Sequence, residues 1–373
     1  MYRIICSCHH PLLMHRRTIP ERHFSSTPAS KLHRAKMSRC AADGQHPTAP
    51  ITEQAALRTA AAAIMPATAV GVRLSRPLLL VSDLDDTLLP CKLPQQPQHE
   101  QAAAAFKEVW NRSRSLGMSC KFVINTGRTL PLFEEAWAGQ GARLMPQPDA
   151  VVTGVGTRIH LNTAQGWQED AAWTARMNEG WDSAAAKAAM DAVVKRFGAS
   201  SVVYREAVEM HEHKLTVLYK ADLQLQLLPL LQQRLQQAGL QAIVIEGNSA
   251  GPWRFIDLLP QHAGKGSAML HVMHRYSFDA ASTVAAGDSA NDLLMLKQAA
   301  LSIIVGNSAP EVKAWAASQP HQQPHPHPHQ QQQQQQQQQH GEAKQHGPKV
   351  YAAHAPVAAG VLEGLQALGF LQH

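Results

Sequence analysis

Short apolar runs that end in polar loops alternate with longer stretches of helical period along this chain. Leu78 to Val81 is an unbroken apolar run leading into an acidic loop, which predicts a central strand. His99 to Leu116 has the period of a helix, closed by Gly117. Lys121 to Ile124 predicts a second buried strand, ending at Asn125-Thr126-Gly127-Arg128, and Ala150 to Thr153 a third. Strands alternating with helices imply a parallel sheet covered on both faces. The expected fold class is therefore α/β, a Rossmann-like parallel-sheet core.

The pattern then changes. Ser183 to Phe197 reads as a helix, Val202 to Arg205 and Leu215 to Tyr219 as strands. Leu223 to Ala238 reads as a helix with Pro229 awkwardly in its middle. Ala242 to Ile245 and Arg254 to Leu258 are strands again. This αββαββ order suits a small open sheet with two helices on one face, an α+β cap domain inserted into the core. From Lys265 the alternation returns: a helix to His274, a strand at Thr283 to Ala286, a helix at Asn291 to Gln298 and a strand at Ser302 to Val305.

The expected organisation has six parts. Residues 1–75 form a transit-like disordered segment and 76–160 the first part of the core. Residues 161–260 are the inserted cap and 261–318 the second part of the core. Residues 319–348 are a His/Gln-rich low-complexity insertion, in which Gln330 to Gln339 is an unbroken run. Residues 349–373, with a helix over Val357 to Leu368, close the core. A His tract can bind metal, but a disordered surface insertion is the plainer reading.

Charge changes the picture less than its sum suggests. The chain carries a formal +6. Eight basic residues stand against Glu21 alone in the first 40 positions, so the remainder is close to neutral and offers no surplus that argues for nucleic acid. That opening stretch, rich in Arg, Ser, His and Ala, has the composition of an organellar leader. It predicts a chloroplast or mitochondrion, with the cytoplasm as the alternative if the stretch is a tail without an address or translation starts at Met37. Only Cys91 and Cys120 follow it, which fits a reducing compartment rather than a disulfide framework. No apolar run reaches the roughly 18 residues of a transmembrane helix.

Candidate chemistry lies in loops after predicted strands, where the ligand site of an open α/β sheet is found. Asp83-Leu84-Asp85-Asp86-Thr87-Leu88 clusters carboxylates that repel unless a cation or proton compensates. Thr126-Gly127-Arg128 offers a hydroxyl, a backbone of close approach and a guanidinium, all suited to phosphate oxygens. Gly287-Asp288-Ser289-Ala290-Asn291-Asp292 sets acids and an amide at a strand tip and helix start. Lys265, between Gly264 and Gly266 at a helix start, adds a cation where an anion would sit. Taken singly, each admits a plainer reading: a solvated turn, a strand end, an N-cap cluster, a surface lysine.

In this order the four segments resemble the motifs of the haloacid-dehalogenase superfamily, and the place of the insertion resembles its larger-cap class. Val81-Ser82-Asp83-Leu84-Asp85, Thr126-Gly127-Arg128, Gly154-Val155-Gly156-Thr157, Asn178-Glu179-Gly180-Trp181-Asp182, His213-Lys214 and Asp257-Leu258-Leu259-Pro260 through Gly264-Lys265-Gly266 are similar to the sucrose-phosphate phosphatases, as is Ala358-Ala359-Gly360. Asp86 departs from the histidine usual in the plant enzymes. The additional C-terminal domain of many plant forms, the leader and the His/Gln-rich insertion are further departures.

The resemblance implies a phosphoric monoester hydrolase acting on a small phosphosugar, most simply sucrose 6-phosphate. Asp83 would be the nucleophile and Asp85 the acid and base. Asp83, the backbone carbonyl of Asp85, and Asp288 would hold Mg²⁺. Thr126, Lys265 and Asn291 would grip the phosphoryl oxygens and Asp292 would orient Lys265 or a metal-bound water. Gly127, Arg128 and Lys214 would meet the substrate. Another phosphosugar or a phosphorylated cofactor is the enzymatic alternative. A non-catalytic partner of a sugar-phosphate synthase is the alternative of another class, and association with such a synthase is a partner expectation in either case. Neither nucleic acid nor membrane is expected.

Overall fold

The computed structural model describes residues 71–249, 251–319 and 349–373. Nearly all of the expected leader and low-complexity insertion lie outside the described residues. Among the described residues the core sheet has eight strands, in the spatial order Lys349–Ala352, Leu301–Ile304, Thr283–Gly287, Leu78–Ser82, Cys120–Asn125, Ala150–Thr153, Arg158–Thr163 and Gly166–Glu169. After a two-residue β1 (Arg73–Leu74) come β2 (Leu78–Ser82), α1 (Pro97–Ser115), β3 (Cys120–Asn125), α2 (Leu130–Ala136) and β4 (Ala150–Thr153). All residues of β2 and β4 are buried, because helices cover both faces.

Beyond β4 the expected boundary at 160 shifts. β5 (Arg158–Thr163) and β6 (Gly166–Glu169) form a hairpin that extends the core sheet antiparallel to β4, and α3 (Ala171–Asn178) packs Trp173 and Met177 into the core. The strands were hidden because Asn162, Thr163 and Gln168 leave only weak alternation at a solvated sheet edge.

The αββαββ unit begins at Ser183: α4 (Ser183–Phe197), β7 (Val202–Tyr204), β8 (Leu215–Lys220), α5 (Gln224–Gln237), β9 (Ala242–Asn248) and β10 (Trp253–Pro260). Its sheet is antiparallel in the order β7-β8-β10-β9, and α4 and α5 bury Met190, Val193, Leu227 and Leu231 against it. Pro229 sits inside α5 without breaking it. The ring is exposed near the helix start, where the carbonyl it leaves unpaired, on exposed Leu225, is open to water.

The core resumes with α6 (Lys265–Arg275), β11 (Thr283–Gly287), α7 (Leu293–Gln298), β12 (Leu301–Ile304) and α8 (Pro310–Ala317). It closes with β13 (Lys349–Ala352), α9 (Val357–Ala367) and β14 (Leu371–Gln372), which pairs back onto β1. One core layer, with α1 and α9, packs Phe106, Trp110, Phe122 and Val361; the other, with α3, α6 and α7, packs Val81, Val123, Met269 and Met295. Among the described residues no helix is long and apolar enough to cross a membrane.

Register aims the site. Ser82 pairs with Ala286 of β11 on one side and Ile124 of β3 on the other. The loops that follow, bearing Asp83, Thr126 and Asp288, therefore leave the sheet side by side.

Candidate active site

Asp83 leaves the tip of β2 buried, its N–H donating to the Ala286 carbonyl at 3.0 Å. Lys265 is the first residue of α6, after Gly264, whose φ of 123° favours glycine. Its fully buried ammonium lies 2.9 Å from Asp83 Oδ1 and 2.7 Å from Asp292 Oδ1. Asp292 is held in turn, its Oδ2 accepting from the N–H groups of Asp288 (3.2 Å) and Ser289 (3.0 Å) and from the Ser289 hydroxyl (3.1 Å). Asp288 Oδ1 accepts from the Thr87 hydroxyl at 3.1 Å. The Ser289 hydroxyl also lies 2.6 Å from Asn291 Oδ1, so its single proton is shared between the two acceptors.

Carboxylate oxygens of Asp83, Asp288 and Asp292 lie within 4.8 Å of one another. Burial pushes the Asp83 carboxyl well above its ordinary range, with Lys265 opposing and Asp292 and Asp288 adding to the rise. Burial and the Asp292 charge push Asp288 up to about 7. Burial works against the Lys265 charge, but Asp292 and Asp83 outweigh it and hold the ammonium on. With all three carboxylates ionised against one ammonium, the basin would hold an excess of two negative charges, and that repulsion adds to the burial that raises the Asp83 and Asp288 carboxyls. The donor set is all hard oxygen, so the residues fit a divalent cation such as Mg²⁺.

Of the expected metal residues, Asp83 and Asp288 stand in this cluster and Asp292 joins them. Asp85 is expected to offer its backbone carbonyl, and its carboxylate is engaged elsewhere: it takes both of its oxygens to Arg128, at 2.8 Å from Nε and 2.8 Å from Nη2. Burial would raise the Asp85 carboxyl, but this bidentate pair outweighs it and holds it below the ordinary range.

Thr126 is buried at the tip of β3, its N–H bonded to Val152 O at 2.9 Å and its Oγ1 accepting from Arg128 N–H at 3.2 Å. Preceding it, Asn125 Nδ2 donates to the Lys265 carbonyl at 2.9 Å. Asn125 thus ties two motif loops together, a role the sequence analysis does not give it; the only signal is a polar residue closing an apolar strand.

The cap stands over this basin. A narrow cleft of about 70 Å³ is lined from the core by Gly127, Val155 and Asn291 and from the cap by Arg205, Glu209, Lys214, Thr216, Ile245, Phe255 and Asp257. Lys214 is buried, not a surface lysine. Its ammonium reaches Thr216 Oγ1 and Glu209 O, each at 3.0 Å, and lies 3.3 Å from Asp257 Oδ1, while Thr216 donates to Asp257 at 2.5 Å. Asp257 gains its place in this network from strand pairing, which sets Thr216 opposite it across the β8–β10 pair.

A larger groove along α5 and β9, lined by Gln232, Leu240 and Val244 among others, lies away from these groups and carries none of the chemistry.

Fold and site together are those of a haloacid-dehalogenase-type core carrying an α+β cap. The structure of sucrose-phosphatase from Synechocystis sp. PCC6803 in complex with sucrose and phosphate superimposes with a TM-score of 0.56 at 22% identity, covering 79% of this chain and 99% of that one. A model of the sucrose-6F-phosphate phosphohydrolase family matches residues 76–334, and the chain belongs to that family of phosphoric monoester hydrolases. Similar proteins include a putative HAD-like hydrolase of Nitrosococcus oceani, 31% identical over 63% of this chain and 61% of the relative. Sucrose-phosphatase 1 of Nicotiana tabacum is 26% identical over 66% of this chain and 54% of the relative. The chain thus spans between half and two thirds of the length of these curated relatives.

Proposed function

We propose that the protein hydrolyses a small phosphosugar, sucrose 6-phosphate before others, by way of an aspartyl-phosphate on Asp83. The observation that carries this reading is the buried basin at the tips of β2, β3 and β11, where Asp83 lies 2.9 Å from Lys265 and the loops that follow β3 and β11 carry buried Thr126 and Asn291.

An Asp83 oxygen attacks phosphorus and the bond to the sugar oxygen breaks. Asp85 gives its proton to that departing oxygen. It then takes a proton from water, whose oxygen attacks phosphorus; the bond to Asp83 breaks and phosphate leaves. Lys265, Thr126 and Asn291 meet the charge that builds on the phosphoryl oxygens. Asp292 holds Lys265 at its station. For Asp85 to reach the leaving oxygen its pair with Arg128 has to open, so Arg128 couples arrival of the substrate to readiness of the acid. Asp83, the backbone carbonyl of Asp85 and Asp288 would hold Mg²⁺, with Asp292 beside them; the ion when bound would neutralise the excess charge and draw the phosphate to the nucleophile.

The sugar is assigned to the cap wall. A phosphate grip treats all esters alike, whereas a site built to hydrogen-bond hydroxyls rejects ligands that lack them. Lys214, Asp257 and Thr216 form such a wall facing Gly127 and Asn291. The family and the sucrose-phosphatases among the relatives support sucrose 6-phosphate. The test is kcat/KM over a panel of sucrose 6-phosphate, hexose phosphates, nucleotides and flavin phosphate with Mg²⁺. A nucleotide or flavin phosphate outrunning sucrose 6-phosphate would overturn the substrate and leave the chemistry standing.

A further inference from the structure

We propose that Asn307 is a positioning residue for the nucleophile loop, and that through it the segment beginning at residue 349 holds that loop in shape. Asn307 lies between β12 and α8 and belongs to none of the motifs above. Its Nδ2 donates to the backbone carbonyl of Asp86 at 2.7 Å, and its Oδ1 accepts from the backbone N–H of Val357 at 3.0 Å. The partners fix the amide's orientation, since a carbonyl only accepts and an N–H only donates.

Both partners sit in backbone conformations that side chains avoid. Asp86 has φ 58° and Val357 φ 44°, and only Val155 and Ser277 join them as non-glycine residues at positive φ among the described residues. A β-branched residue there is an outlier, and such conformations persist only where the surroundings over-determine them. One amide bridges two of them.

Asp86 follows Asp85 directly and organises what comes next. Its carboxylate accepts from the N–H groups of Cys91 (2.8 Å), Lys92 (3.0 Å) and Leu93 (3.3 Å), and its own N–H donates to Leu89 O at 2.8 Å. The turn after the nucleophile is thus closed by Asp86 and anchored from outside at the Asp86 carbonyl. The Asn307 loop also touches the other acidic motif, through Ala309 N–H to Asp288 O at 2.8 Å.

The tail side is fitted backbone to backbone. Gly306 N–H donates to Ala355 O at 2.8 Å. A Cβ on Gly306 would stand 2.1 Å from His354 O, and one on Gly360 2.3 Å from Ala355 O. Buried Glu363 holds the tail's turn by accepting from the N–H groups of His354 (3.1 Å) and Ala355 (2.9 Å). The tail therefore aims the Val357 N–H at Asn307, and Asn307 aims its amide at the loop that carries Asp83 and Asp85. Thr126, after β3, and Lys265, at the start of α6, come from other elements, so loosening this loop disturbs the attack more than phosphate binding. A displacement on the order of 1 Å can cost about 10²-fold in rate.

The kinetic part rests on the phosphatase reading; the geometric part does not. Asn307→Asp keeps the acceptor for Val357 and replaces the donor to Asp86 with an oxygen. Asn307→Ser removes both contacts and stands in if the first variant does not fold. In the folded variant kcat should fall by about 10- to 100-fold with KM within about threefold. Amide exchange at Cys91, Lys92 and Leu93 should quicken while the β3 amides stay protected. Loss of stability alone, with kcat per folded molecule within about twofold and exchange at 91–93 unchanged, overturns the proposal. If the wild type hydrolyses no phosphosugar the function reading fails, and the exchange measurement still decides the role of Asn307.

Discussion

The two walls of the cleft are built in opposite ways. On the core wall each working side chain sits within a few residues of a buried apolar strand end: Asp83 after β2, Thr126 after β3, Asp288 after β11. The fold sets the three loops side by side and like charges crowd until a cation is called for. On the cap wall Lys214, Thr216 and Asp257 come from a turn and two antiparallel strands, and their network exists because register sets Thr216 opposite Asp257. On the proposed reading, chemistry would be carried by local segments at strand tips and discrimination among esters by cross-strand pairing.

The sharpest test of the core wall is Asp83→Asn, which keeps shape and removes the nucleophile. Turnover should fall by at least about 10⁴-fold with the fold intact by circular dichroism. A tenth of wild-type kcat remaining would break the division between the walls.

Next is the charge excess. Chelation should abolish activity, and Mg²⁺ at about 100 times its Kd should stabilise the protein by about 2.7 kcal/mol. Melting curves with and without Mg²⁺ read this, and Asp288→Asn should remove most of the rise.

The cap wall is tested by Asp257→Asn, which leaves the basin untouched. Here kcat/KM for sucrose 6-phosphate should drop by about 10- to 100-fold, while p-nitrophenyl phosphate, which has no sugar, should change by no more than about threefold. Equal losses on both esters would mean that the cap wall serves the chemistry rather than the sugar.

The smallest effect concerns pH. His160, buried beside Thr153 at 3.1 Å, has its pKa lowered by burial from 6.5 to about 4. Between those values the unfolded chain holds a proton that the folded one lacks. Stability from this group is therefore complete above pH 6.5 and falls as pH drops toward 4, by up to about 1.4 kcal/mol per unit. Without metal, the raised carboxyls of Asp83 and Asp288 act in the opposite sense. The readout is accordingly the difference between wild type and His160→Gln in urea midpoints at pH 7, 6 and 5. Parallel curves would refute it.

The apolar runs and their polar ends determine a parallel α/β core with an αββαββ insertion, and they determine which loops carry the acids, Thr126 and Lys265. That much is local, because a buried strand needs an apolar run and its tip must be followed by a turn. The tertiary structure alone decided the rest. It gave β5 and β6 to the core sheet, turned Asp85 to Arg128, brought Asp292 into the acidic cluster and buried Lys214 against Asp257. It also joined Asn307 to Asp86, 221 residues away. The physical reason is one throughout: whether a polar group faces solvent, a metal or a buried partner depends on what distant chain arrives beside it, and its own neighbours in sequence do not specify that.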